Sequence, residues 1–577
     1  MITIADYLLT RLEQLGVKHM FGVPGELNLA FCDAIEDFKK IAWVGGCNEL
    51  NSLYAADGYA RAKHSLGVSL TIFGPGELSA MNGFAGAVSE DVPILHIVGV
   101  PSITQQKEKS IVDHTLGDGR YVFDAFSNAA QEITYLQAIL SKKEEAAAKI
   151  DKILVDCISW SRPAYLALPT NLVTEKISSE SLKFPLSRSQ TQNDPAAEEF
   201  VADRITSLFA QAVAPQADAI VLVDLGAIRH NVLKEVYDLL KRTGFPVYAT
   251  PMGKTAIDET YERYGGIYWG SALSSPEVVK AFAEAKLVLS IGSFQGDFNS
   301  GNFNNNIPTD RMIELHADRT KIQDDIFPGV GMKKLIPKLS ARLEHLRHIA
   351  TQIPIPKFDN FVPQGGSEKI THEWLWPRVG QFFKPNDVIV ADTGTAQYAI
   401  VDVRLPKGSD LLSQMRWASI GWSIGAALGA CLAVKESEPR RTVVFVGDGS
   451  LQMTVQELSS LIRTGVKPII FVLNNSGYTT ERLLHRESEQ RKYPDIAQWD
   501  YSGLLRVLGD LDGTASRSYQ ARTKKELTEL LDDEEFGNTK FIQLVEIFMD
   551  KLDAPWALEN WPQRFVPTRA LLKRRIA

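Results

Sequence analysis

Two apolar runs turn polar in the same way, VVFVGDGS and IIFVLNNSG, and they leave Asp448 and the pair Asn474–Asn475 at their ends. A carboxylate oxygen and an amide oxygen suit a hard divalent cation such as Mg2+, which takes few protein ligands and completes its octahedron with waters and phosphates. Gly449 lets backbone approach closely there, and the amides of a following helix start favour phosphate. Alone, GDGS reads as readily as a tight turn with Asp448 capping a helix. Asn475, placed 27 residues later after one helix pattern and one strand pattern, makes the cation site the stronger reading.

Two further groups lie in the first third of the chain. GGCNELNSLYAADGYAR puts Glu49 between a short apolar run and a helix pattern, where a carboxylate can simply face the helix dipole. SIVDHTLGDG sets Asp113 directly before His114. An imidazole beside a carboxylate is either a loop side chain or a proton carrier working near neutral pH.

The elements that must position these groups follow a βαβ rhythm. Strand patterns VKHMFGVPG, LGVSLTIFGPG, VPILHIVGVPS and PAYLALPTN alternate with helix patterns such as ELNSLYAADGYARAK. AIVLVDLG, FPVYAT and KLVLSIGS follow, and then DVIVADTG, TVVFVGDGS, PIIFVLNNSG and FIQLVEIF. The polar, proline-bearing stretches 184–199 and 353–369 read as linkers. The expectation is an α/β protein of three consecutive parallel-sheet domains, 1–183, 197–352 and 370–577. Ligands of such sheets bind at the carboxyl ends of strands, where Asp448 and Asn475 fall.

At 577 residues the chain exceeds one hydrophobic core. Its 62 basic and 70 acidic residues are interspersed, a net charge of −8 that disfavours nucleic acid and anionic membranes. Cys32, Cys47, Cys157 and Cys431 form no CxxC pair, which argues against a disulfide frame or a zinc site. No run approaches the roughly 18 apolar residues of a membrane span. The opening MITIADYLLTRLEQLGV is an amphipathic helix pattern carrying Asp6 and Glu13 rather than a signal peptide, so a cytoplasmic protein is expected.

The spacing of GDG and NN resembles the diphosphate–magnesium motif of thiamine diphosphate enzymes. The succession VPGELN, FGPGELSAMNGFAG, LHIVGVPS, DHTLGDG, ADTGT, ASIGWSIGAALGA, GDGSLQMTVQEL and NNSGYTTERLLH is similar, over nearly the whole chain, to the 2-oxo acid decarboxylases that act on pyruvate, indolepyruvate or phenylpyruvate. That resemblance implies a carbon–carbon lyase using thiamine diphosphate and Mg2+. The metal ligands would be Asp448, Asn475 and the carbonyl of Gly477. Thr395, Gly421, Gly449 and Ser450 would be cofactor contacts. Ile420 would be the apolar wedge that bends the cofactor, unless it is an ordinary core isoleucine. Glu49 would bond the aminopyrimidine ring and drive it to its imino form.

The family's acid–base set is an aspartate, a His-His pair and a glutamate. Here Glu481 and His114 match, whereas Asp113 replaces the first histidine and Glu26 replaces the aspartate. Glu26 reaches one methylene further, and shifts of about 1 Å can cost a hundredfold in a positioned site. Asp113 is expected to favour imidazolium at His114 and to oppose a bound carboxylate. Slower protonation after carbon dioxide leaves would let the reacting carbon attack a second carbonyl, so a carboligase forming acyloins is the rival reading. A catalytically retired structural or regulatory relative is a third. Acetolactate synthase-type enzymes share GDG and the glutamate but lack DHTLGDG and GYTTE. Thr480 and Gln397 depart from a methyl-sized pocket and imply a larger or more polar 2-oxo acid. Gly226 stands where yeast-type enzymes carry a regulatory cysteine, so that switch is expected to be absent. The resemblance also implies a homo-oligomer, at least a dimer with shared active sites, and tetramers are common.

Overall fold

A computed structural model describes residues 1–116, 123–134, 136–189, 191–213, 218–358, 361–437, 440–485 and 490–562. The last three residues of DHTLGDG and the C-terminal RRIA lie outside them.

Three large sheets form in chain order, beside a short antiparallel pairing of Ile2–Thr3 with Lys176–Ile177. The first holds His19–Gly22 (β1), Ala42–Gly45 (β2), Gly67–Ile72 (β3), Ile94–Val100 (β4), Gln137–Ile139 (β5) and Ala164–Pro169 (β6), all parallel, in the order β2-β1-β3-β4-β6-β5. The second holds Asp218–Val223 (β7), Val247–Ala249 (β8), Tyr264–Ile267 (β9), Ala285–Ile291 (β10), Met312–Leu315 (β11), Arg319–Ile322 (β12) and Asp325–Pro328 (β13), in the order β9-β8-β7-β10-β11-β12-β13. Its last two strands run antiparallel, a hairpin edge that a parallel reading of the sequence did not anticipate. The third is parallel throughout: Val388–Ala391 (β14), Asp410–Ser413 (β15), Thr442–Gly447 (β16), Ile469–Asn474 (β17), Ser516–Ala521 (β18) and Ile542–Phe548 (β19), in the order β15-β14-β16-β17-β19-β18. Helices cover parallel sheets on both faces, so their strands are buried runs of Val, Ile, Leu and Phe. β17 is buried at every position.

One apolar core runs from the first sheet into the third, while the second sheet keeps a core of its own. The junction is a pair of helices, Glu49–Lys63 and Trp422–Lys435, each buried almost all round. Glycines set their approach. A Cβ on Gly429 would lie 1.8 Å from the carbonyl oxygen of Ala55, and one on Gly58 would lie 2.1 Å from that of Ala426. Glu49 opens the first helix, and Ile420–Gly421 immediately precede the second.

The stretch 184–199 is not wholly a linker: a helix, Pro195–Val213, begins inside it. Asp194 accepts from the Ala197 amide at 2.8 Å, proline follows at the first turn, and Glu198 is acidic there. These are helix-start signals whose polarity resembles that of a loop. In 353–369, by contrast, the described residues form no helix or strand.

Candidate functional site

β16 and β17 are adjacent, so Asp448 and Asn475 emerge side by side at their carboxyl ends. Gly447, not Asp448, is the helix N-cap. The Asp448 carboxylate is 1 % exposed, and it accepts from the Gly449 amide at 2.8 Å and the Gly477 amide at 3.1 Å. Burial pushes its carboxyl up to about 6, with the Gly449 and Gly477 amides pulling the other way.

The Asn475 amide has two orientations. In one, its oxygen faces only acceptors, the Gly477 carbonyl at 2.7 Å and Asp448 Oδ1 at 3.3 Å; in the other, its nitrogen does, and the oxygen needs a proton from Thr479 Oγ1 at 3.0 Å. Thr479 already donates its single hydroxyl proton to Lys551 O at 2.9 Å. The first orientation therefore satisfies Thr479 as an acceptor and gathers three oxygens with no donor among them. Such a set is self-repelling without a cation and matches the oxygen ligands of Mg2+. Among the described residues no group of three or more His, Cys, Asp or Glu side chains is arranged for a metal, so this mixed oxygen set is the metal-type arrangement found.

The oxygens sit in a cleft of about 390 Å³ that is also lined by Thr395, Gln397, Ile420, Gly449, Ser450, Gly477, Thr480 and Glu481. Ile420 is half-buried and faces the cleft, so it is not a core isoleucine. Gly421, at φ 88°, caps the Trp422–Lys435 helix and lies beside the Ser450 carbonyl. Gln397 is 2 % exposed, and its Nε2 donates to Ser413 Oγ and Gln414 O at 3.0 Å each, which locks the amide in place.

Several further residues support or line the cleft. Asp392 is buried and accepts from the Gly421 and Ser423 amides at 3.2 and 3.0 Å; burial pushes it up to about 6. Its place in ADTGT, directly after a strand, was the available signal. Tyr501 donates to Asp448 O at 3.2 Å. Phe298 from the second sheet's unit and Trp561 complete an aromatic wall with Tyr398, the Trp561–Tyr398 centroids lying 5.2 Å apart. No local pattern marks these three.

The remaining groups assemble elsewhere. Glu26 follows β1, Glu49 follows β2 and His114 follows β4, all at strand carboxyl ends of the first sheet. The turn after β3 holds two of them: a Cβ on Gly76 would lie 3.2 Å from Glu49 Oε1, and one on Gly74 would lie 2.7 Å from His114 Cβ. Buried Glu77 fixes that turn, accepting from the Gly74 amide at 2.9 Å and Tyr165 Oη at 2.8 Å, and burial pushes its carboxyl up to about 7. Asp113 and His114 are exposed and form no ion pair with each other. None of Glu26, Glu49, Asp113 or His114 lines the Asp448 cleft. A single chain thus carries two half-sets, apart.

Comparison with known proteins follows the same division. Thiamine pyrophosphate enzyme domains match in order: the N-terminal TPP binding domain over residues 2–138, the central domain over 203–339 and the C-terminal TPP binding domain over 392–542. The chain is 42 % identical to a pyruvate decarboxylase of Aspergillus fumigatus over 562 residues, 97 % of this chain and 96 % of the relative. It is 41 % identical to one of Hanseniaspora uvarum over 562 residues (96 % and 97 %) and 40 % identical to one of Kluyveromyces lactis over 571 residues (99 % of each). No helix among the described residues is long and apolar enough to cross a membrane.

Proposed function

The chain belongs to the thiamine diphosphate-dependent 2-oxo acid decarboxylase family, and from that premise we propose that it decarboxylates, with Mg2+, a 2-oxo acid larger or more polar than pyruvate. Thiamine diphosphate, when bound, supplies the nucleophilic carbon and electron sink through which a 2-oxo acid loses carbon dioxide. Asp448, Asn475 and the Gly477 carbonyl would hold the metal, and Gly449, Ser450, Thr395 and Gly421 would contact the cofactor. Ile420 would pack against it. Glu49 would hold the proton at the pyrimidine ring. His114, Glu481 and Glu26 carry protons to and from the substrate carbons and oxygen, with Asp113 setting the charge beside His114.

The separation of the half-sets supports a site shared by two copies, Glu49 of one facing Asp448 of the other. A dimer is then the least functional unit.

The substrate reading rests on one observation: Gln397, its amide locked by Ser413 and Gln414, lines the same cleft as Thr480 and Glu481. A fixed amide and a hydroxyl offer hydrogen bonds that a methyl group cannot use. The relatives named pyruvate decarboxylase make pyruvate the natural comparison. Initial rates on pyruvate and on branched, aromatic and hydroxylated 2-oxo acids test the reading. A higher kcat/KM for pyruvate than for all of them refutes it. The carboligase reading is favoured by Glu26 and Asp113, two changed members of the proton set. An added aldehyde converted to acyloin in place of free aldehyde release would establish it.

A further inference from the structure

The loop that presents the cation-facing oxygens is conformationally costly at Ser476, which has φ 62°, while Gly477 takes φ 126° as only glycine readily can. Two buried charges outside the proposed ligand set touch it. Arg482, on the helix Thr479–Leu484, is 1 % exposed. Its Nη2 donates to Ser476 O at 3.0 Å, to Pro494 O at 3.4 Å and to Asp495 Oδ1 at 2.8 Å. The Tyr478 amide also donates to Pro494 O at 2.9 Å, and a Cβ on Gly477 would lie 2.2 Å from that oxygen. Arg482 therefore staples the loop to the Pro494–Asp495 segment, and its charge acts weakly on the Asp448 carboxyl.

Glu546, on β19, reaches the loop from the neighbouring strand. It is 2 % exposed, and among the described residues it forms no ion pair. Oε1 accepts from Asn474 Nδ2 at 2.7 Å and Oε2 from Gln520 Nε2 at 2.8 Å. Asn474 Oδ1 in turn accepts from the Ser476 amide at 3.3 Å. A buried carboxylate held only by neutral amides is expensive, unless a cation nearby recovers the cost.

We propose that Arg482 and Glu546 are positioning residues for the divalent cation. Arg482 fixes the direction of the Gly477 carbonyl, and Glu546 fixes Asn474 and adds a negative potential behind the ligand oxygens. Neither touches the ion. The inference rests on the Mg2+ site of the proposed function.

Outer partners of metal ligands typically cost 10–100-fold in affinity when removed, and R482M and E546Q are expected to weaken Mg2+ binding by roughly that factor. In E546Q the new amide can keep its oxygen towards Asn474 Nδ2, and the Gln520 amide alone can turn over to accept from the new nitrogen, so both hydrogen bonds survive and that variant isolates the charge. Calorimetric titration of the full, chelator-stripped chain with MgCl2 reads the affinity, with Mn2+ resonance spectroscopy as a second readout. Excess Mg2+ should restore kcat in both variants. Affinities within twofold of the unmodified protein, or a loss of kcat that excess Mg2+ leaves in place, would overturn the proposal. If R482M does not fold, R482K is read instead: it keeps the charge but not the fork, and unchanged affinity there counts equally against the idea. D448N separates the two claims, because if it binds Mg2+ normally the metal site itself is wrong.

Discussion

The Asp448 carboxyl, held near pH 6 by burial, gives a prediction that needs no substrate. Only the ionised carboxylate binds a cation, so a proton competes with Mg2+ for the site. At pH 7 about nine-tenths of such a group is ionised and at pH 5 about one-tenth, so apparent Mg2+ affinity falls about tenfold between them. The sign for stability is the reverse of a salt-bridged acid. The folded value lies above the ordinary 3.8. Ionisation is therefore disfavoured in the fold, and the metal-free protein loses stability as pH rises from about 4 through 6. The ceiling on that loss is about 3 kcal/mol, two pKa steps of about 1.4 kcal/mol each. Mg2+ relieves it, so the rise in Tm on adding Mg2+ should be larger at pH 7 than at pH 5. Calorimetry of Mg2+ alone, without cofactor, on the unmodified chain and on D448N measures both. Buried Asp392 has the same value, and D392N is the control that should keep the inflection. An affinity that does not change between pH 5 and 7, or an inflection that persists in D448N, would show that the Asp448 proton does not compete with Mg2+.

A shared site predicts complementation. E49Q and D448N should each be inactive, yet unfolding and refolding them together should restore roughly a quarter of the activity, since half the dimers would be hybrid with one intact site each. No recovery in verified hybrids would place the site within one chain. G429A should destabilise the chain at or above the usual overpacking cost of about 1–3 kcal/mol, because its Cβ would meet backbone at 1.8 Å; denaturant melts read it. Glu436 joins the third sheet's unit to the first through His19, Tyr59 and Lys63, and bonds from these hold its carboxyl down to about 2 against the effect of burial. Its contribution should be present above about pH 4.5 and disappear as pH falls towards 2, so the Tm difference between E436Q and the unmodified chain should close over that range.

The parts legible in the sequence were those whose signal is local. Apolar runs marked most of the parallel strands but not β5, β9, β11, β15 or β18, and the turn residues after β16 and β17 marked the proposed cation site. Glu49–Lys63 was legible as a helix from its ends. The hairpin β12–β13 was not, because its four-residue strands RTKI and DIFP carry no strand-like apolar run. Pro195–Val213 was partly hidden because its cap residues are also loop residues. Arg482 and Glu546 were illegible for another reason: their roles exist only where a helix and a distant strand meet one loop. Phe298 and Trp561 likewise reach the cleft from remote parts of the chain.

The most direct test of the account is the product balance of the purified protein with thiamine diphosphate and Mg2+. Carbon dioxide and free aldehyde would be quantified together for pyruvate and for larger and more polar 2-oxo acids. Equal amounts of the two are expected, with a larger or more polar substrate favoured over pyruvate. Bound cofactor with no carbon dioxide from any 2-oxo acid would contradict it.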